Sequence, residues 1–181
     1  MARGLKMNLE TALLIVPPKP VQVFSFPIRE RYDIESFKSN VPAHITLLYP
    51  FVPPDQVETA VTTLNKLCTP FPPFEVILDK YGTFEGAIFL EPSDPAPIME
   101  LHRLLSSAFP DFPVYGGEYG TELHPHLTLA RFDDPGEASS IDLPPVPSFN
   151  FSVDKIHLYL GSIEDDTPFI PRAVIPIGKS A

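Results

Sequence analysis

What this sequence has little of narrows its function before any motif is read. Cys68 is the only cysteine, so no intrachain disulfide can form and nothing points to an oxidising compartment. No H-E-x-x-H pair, cysteine pair or glycine-rich phosphate cradle is present to signal a zinc hydrolase or a P-loop enzyme. Positive charge is scarce: 13 Lys and Arg stand against 23 Asp and Glu, a net charge of −10 with a pI near 4.8. Affinity for a nucleic-acid backbone grows with the cations a surface presents, so a binder of long duplexes is disfavoured. A small phosphate ester or a single RNA terminus needs only a local cluster of donors and stays open. The apolar run 12–16 ends at Pro17-Pro18, far short of a bilayer span or a signal core. A cytoplasmic monomer with no membrane attachment is the expectation.

The 181 residues are 44% apolar and 20% charged, enough for one domain with a core that needs no disulfide or metal. The 24 prolines are scattered as punctuation between elements, as at Pro53-Pro54 and Pro144-Pro145. Helices are expected over 55–68, with Val57, Val61, Leu64 and Leu67 or Cys68 at helical spacing, and over 94–108, with Asp94 as a cap and Ile98, Leu101, Leu105 and Ala108 as the buried stripe. The stretch 20–36 is ambiguous, because Val23, Phe24, Phe26 and Ile28 suit a helix that Pro27 interrupts. Strands are expected over 10–16, 43–49, 74–78, 84–91, 126–132, 149–153, 155–160 and 172–177. The pattern is α+β. Glycines at 116, 117 and 120 and the acidic stretch 133–137 read as flexible loops.

Two segments carry the chemistry. His44-Ile45-Thr46-Leu47 and His126-Leu127-Thr128-Leu129 are both H-x-T-x with apolar x, 82 residues apart. Side chains alternate faces along a strand, so each segment presents one imidazole and one hydroxyl on one face and buries its apolar pair on the other. Pro42 and Pro125 suit strand entry. Two such pairs with four apolar positions arise by chance in ~0.1% of shuffled chains, which sets aside the reading of each histidine as an ordinary strand residue. Phosphodiester hydrolysis needs a base for the attacking water and an acid for the departing alcohol. Two histidines with ordinary pKa values near 6.5 supply both, and two threonine hydroxyls can hold the non-bridging oxygens. Such a centre calls for neither a metal nor a cofactor.

With these motifs the chain resembles the two-histidine phosphoesterases, which include the 2′-5′ RNA ligase-like proteins and cyclic nucleotide phosphodiesterases. The resemblance extends to the first strand, to Gly82-Thr83-Phe84 leading into a strand, to the helix 98–109, and to the stretch His124-Pro125-His126-Leu127-Thr128-Leu129-Ala130-Arg131-Phe132. It implies a bilobal fold over 1–181: two pseudo-symmetric lobes, two mainly antiparallel sheets with outer helices, and one motif strand from each lobe in a central cleft. It implies His44, Thr46, His126 and Thr128 as the active site, with His126 as base and His44 as acid. The segment 20–34, helical in relatives, is proline-interrupted here, and positive residues are sparse, which argues against ligation of transfer RNA.

Tyr49, Phe51, Phe84, Tyr115 and Phe132 lie near the motifs and can stack a base or simply pack. By strict alternation Arg131 falls on the face opposite His126, where an ion pair and a phosphate contact are equally open. Structural roles are expected for His102, His157 and Cys68. Two alternatives remain: a zinc hydrolase built on His124 and His126, and a silent module that binds a nucleotide or RNA end in the same cleft.

Overall fold

The computed structural model describes residues 8–84, 86–120 and 122–178. Apolar runs between prolines become strands β1 (Glu10–Ile15), β2 (Ile45–Leu48), β3 (Phe74–Phe84), β4 (Ala87–Pro92), β5 (Leu127–Arg131), β6 (Phe149–Val153), β7 (Lys155–Ser162) and β8 (Thr167–Pro176). Helices α1 (Lys19–Tyr32), α2 (Ile34–Lys38), α3 (Val57–Cys68) and α4 (Ala96–Ala108) complete the α+β architecture.

The strands run in the order β6-β3-β4-β5-β2-β1-β7-β8, and every pairing is antiparallel. The two expected sheets are therefore the two halves of one. Ile45 of β2 pairs with Leu127 of β5 and joins four strands to four. The motif strands thus lie side by side at the centre of the sheet.

Several elements differ from expectation for local reasons. Helix α1 runs unbroken through Pro27. A proline ring crowds the carbonyl four residues back, here that of Val23, and Val23 is 62% exposed, on a side where a tilted carbonyl can turn to water. Residues 20–32 are therefore unbroken helix, which ends at Asp33 before α2 begins. On α3 the buried stripe is Val57, Ala60, Leu64 and Cys68, so Cys68 and not Leu67 faces the core. On α4 the stripe is Ile98, Leu101, His102 and Leu105, while Ala108 is exposed. Asp94 does accept a hydrogen bond from the Ala96 amide, at 2.9 Å. β3 extends to Phe84, beyond the expected end, before the chain returns as β4.

One core cluster gathers Leu13 and Ile15 of β1, Ile45 and Leu47 of β2, Leu127 and Leu129 of β5, and the stripes of α3 and α4. Burying each such side chain contributes about 1.5–3 kcal/mol. Among the described residues no helix is long and apolar enough to cross a membrane. Leu127 is fully buried at the central junction, so Leu127→Ala is expected to lower stability by about 2–5 kcal/mol, read as a lower urea midpoint with an unchanged slope.

Candidate active site

The geometry of the site follows from the pairing of Ile45 with Leu127. In an antiparallel ladder, neighbours of a pair oppose each other in reverse order, so His44 stands across from Thr128 and Thr46 across from His126. Ile45, Leu47, Leu127 and Leu129 are buried, and the four motif side chains are half-buried on the other face. The result is a crossed quartet in which the imidazoles are diagonal neighbours, with backbones roughly 7–8 Å apart.

Both imidazoles are held the same way. His44 Nδ1–H donates to the carbonyl of Pro42 and His126 Nδ1–H donates to the carbonyl of His124, each at 2.7 Å. A carbonyl can only accept, so the neutral rings carry their lone pair on Nε2. Burial is the main cause that pushes His44 down to about 4, helped by the charges of Arg29, His126 and Arg131 and opposed by the Pro42 carbonyl. Burial likewise lowers His126, with the charges of His124 and Arg131 adding to it and the His124 carbonyl opposing.

Arg131 belongs to this group. β5 carries a bulge: Thr128 pairs with Phe89, but the next residue of β4, Ile88, pairs with Ala130. Alternation counted from His126 therefore does not extend to Arg131. Its charge acts on both imidazoles and on the Tyr115 phenol, and its Nε lies 3.4 Å from Asp33 Oδ1.

Residues 17–162 match the model of the 2′-5′ RNA ligase superfamily. The chain belongs to that superfamily. A relative from Geobacillus kaustophilus, named "Putative phosphoesterase", is 30% identical, the match covering 94% of this chain and 98% of the relative. One of the same name from Geobacillus thermodenitrificans is 28% identical over 83% of this chain and 87% of its own. Among solved structures, E. coli LigT complexed with 3′-AMP superposes with a TM-score of 0.67 at 19% identity, covering 94% of this chain and 99% of that one. A protein from Thermus thermophilus gives 0.68 at 18% identity, covering 95% and 100%. At those identities the likeness speaks for the fold.

The other candidates divide in this superfamily member. Phe84 is 44% exposed and stands edge-on to His126 with ring centroids 5.2 Å apart. Phe89, unremarked in the sequence, lies at the same distance from His126 and packs on Phe84. Its ring covers Gly82, where a Cβ would come within 2.3 Å of it. Tyr115 lies in the left-handed region, at φ 53°, and sets its hydroxyl against Thr46, so it offers a hydroxyl to the site more than a ring to stack. The Tyr115 amide donates to the Tyr49 carbonyl. The Tyr49 ring is elsewhere: its hydroxyl donates to Glu10 Oε2 at 2.6 Å, and it packs with Ala12, Leu14 and Phe169. Phe51 packs on Phe109 and Phe112, and Phe132 on Tyr32.

His102 is buried on α4 and donates from Nδ1 to the Leu47 carbonyl of β2 at 2.9 Å, a structural tie between helix and motif strand. Cys68 is buried in the core, where burial raises its thiol to about 11. Among the described residues no group of three or more His, Cys, Asp or Glu is placed to hold a metal ion, so the zinc reading gains no ligand set. Missed by the sequence reading were Arg29 and Asp33, both buried at the end of α1. Arg29 went unseen because Pro27 obscured its helix.

The His44 shift makes a stability prediction. A folded-state pKa of about 4 against 6.5 unfolded means the unfolded chain binds the extra proton first as pH falls. The His44 contribution to stability is thus present above pH 6.5 and lost as pH falls toward 4. NMR titration is expected to show a His44 ring neutral down to about pH 4, and His44→Gln is expected to flatten the decline in Tm over that window.

Proposed function

We propose that the protein is a metal-independent phosphoesterase that hydrolyses, or in reverse forms, a 2′,3′-cyclic phosphate or a 2′-5′ phosphodiester of a nucleotide or RNA end. The observation that carries this reading is the crossed quartet: two Nε2 atoms and two hydroxyls on one sheet face. A phosphoryl group placed between the imidazoles meets one on the side of the attacking water and one on the side of the leaving alcohol. Thr46 and Thr128, with the Tyr115 hydroxyl and Arg131, supply donors and charge for the non-bridging oxygens. The aromatic side at Phe84 and Phe89 suits a base or ribose next to His126. LigT has been crystallised with 3′-AMP, ATP and NADP+, which supports a small nucleotide as ligand here. The order of strands outward from the β2/β5 junction supports a single domain of two pseudo-symmetric lobes.

Catalysis needs one imidazole neutral and the other protonated. Family resemblance gives the base role to His126. Burial lowers both rings in the free protein, so neither holds a proton readily there and the acid regains its own when a phosphate anion binds. We keep that assignment, with His44 as acid.

Incubation with 2′,3′-cyclic nucleotides is expected to give turnover that survives EDTA and falls roughly 10²- to 10⁴-fold in His44→Ala and in His126→Ala. EDTA-sensitive turnover would support zinc, and tight binding without turnover a silent module. A nitrophenyl phosphodiester, whose leaving group needs no acid, is expected to restore most of the activity of His44→Ala and little of that of His126→Ala; the opposite pattern exchanges the roles.

The pH profile follows from the shifts. Activity rises with pH as the base loses its proton and falls as the acid loses its own, and both pKa values lie below 6.5 in the free protein. The optimum of kcat/KM is therefore expected on the acid side of 6.5. In kcat the falling limb moves to higher pH, because a bound phosphate anion favours the imidazolium.

A further inference from the structure

We infer that Asp33 is a positioning residue: one buried carboxylate that ties the two motif strands together and aims the Arg131 guanidinium at the site. What Arg131 meets there rests on the phosphoesterase reading, but the clamp itself does not.

The need for a clamp lies in the sheet. β2 and β5 are joined by the single pair Ile45 and Leu127, while their outer neighbours are joined by several pairs each. The relative placement of His44 and His126 therefore hangs on a short ladder. Helix α1 crosses this junction, since it follows β1 in the chain yet packs on β5.

At its end sits Asp33, with its side chain 2% exposed and each oxygen facing a different arginine. Arg29 Nε is 3.6 Å from Oδ2 and Arg131 Nε is 3.4 Å from Oδ1. Arg29 Nη2 donates to the Val41 carbonyl at 3.0 Å, one residue before Pro42, whose carbonyl fixes the His44 ring. Toward the other strand, Arg131 ends β5, which starts directly after His126 and carries Thr128. One carboxylate thus reaches both imidazoles, each through an arginine.

Stability alone is a poor explanation for the arrangement. Asp33 Oδ1 and Arg29 Nε are buried without a hydrogen-bond partner among the described residues, and buried charges so placed cost desolvation that apolar side chains would avoid. Arg131 is different, with its side chain 59% exposed. With Nε in ion-pair contact with Asp33, its fork leaves both terminal nitrogens for an anion, and a guanidinium so restrained loses less freedom on binding than a loose one. Two guanidiniums against one carboxylate also leave a net positive charge beside the imidazoles of a chain that is −10 overall.

The test combines Asp33→Asn, Arg131→Ala, Arg131→Lys and the Asp33→Asn/Arg131→Ala double variant, with inorganic phosphate as the binding probe and KM and kcat on a cyclic nucleotide. Asp33→Asn is expected to weaken phosphate binding and raise KM about tenfold, and to add less than about twofold when Arg131 is already alanine. Independent multiplication of the two effects, or a change in Tm with phosphate affinity untouched, would overturn the inference. Should Asp33→Asn not fold, Arg131→Lys at its exposed position decides: the lysine keeps charge but not the fork, and is expected to bind phosphate about as weakly as alanine. Wild-type affinity in Arg131→Lys sinks the idea. A wild-type protein with neither phosphate binding nor turnover would sink the phosphoesterase reading, and the clamp would then be read from the Arg131 Nε–H resonance. Its heteronuclear NOE is expected to report an ordered Nε–H vector in the wild type and a mobile one in Asp33→Asn or, failing that, in Asp33→Glu. An Arg131 side chain as mobile in the wild type as in those variants overturns the clamp by itself.

Discussion

The pairing of Ile45 with Leu127 is the constraint on which the site depends. A strand shows alternate residues to opposite faces, so locking these two apolar side chains into the core commits His44, Thr46, His126 and Thr128 to the other face at once. A slip of one residue in either strand would bury its histidine and threonine and expose its apolar pair, at a cost of several kcal/mol in lost apolar burial. Hydrophobic burial thus enforces the register of the quartet. The crossed arrangement, with each imidazole opposite the other strand's hydroxyl, is a consequence of antiparallel pairing and needs no further device.

Electrostatics then adapts that geometry to its task. Partial burial makes each imidazolium costly, the arginines add to that cost, and the carbonyls of Pro42 and His124 fix one tautomer in both rings. The free protein therefore presents two neutral Nε2 atoms beside positive charge, a combination that favours an incoming anion. The overall charge of −10 does not oppose this, because screening confines the field of distant surface carboxylates while the arginines act within the site. On the proposed phosphoesterase reading, the low pKa of the free rings and the need for one protonated ring are reconciled by the ligand, whose own charge favours the imidazolium.

How far the sequence could be read depended on the range of the forces involved. The H-x-T-x motifs were legible because their information is local: period-two alternation and proline-marked strand entry lie within a few residues. The helix Lys19–Tyr32 was obscured because Pro27 is a local signal against helix, and only the exposure of Val23 makes its cost tolerable. With that helix went Arg29 and Asp33, which have no motif of their own. Arg131 was seen, but its placement turns on a bulge that appears only when β4 is laid beside β5. For Tyr49 the sequence left stacking and packing both open, because nearness to His44 along the chain does not keep its ring from Glu10, 39 residues away.

By itself, then, the sequence determined the family, the α+β class and the four residues of the quartet, since each follows from side-chain chemistry repeated at fixed spacing along one strand. Only the tertiary structure decided that the two halves share one sheet, that hydroxyls and imidazoles cross over, and that a carboxylate on a helix end joins both arginines. These are relations between segments brought together by burial of a common core, and the pleat of a single strand carries no record of what will lie beside it.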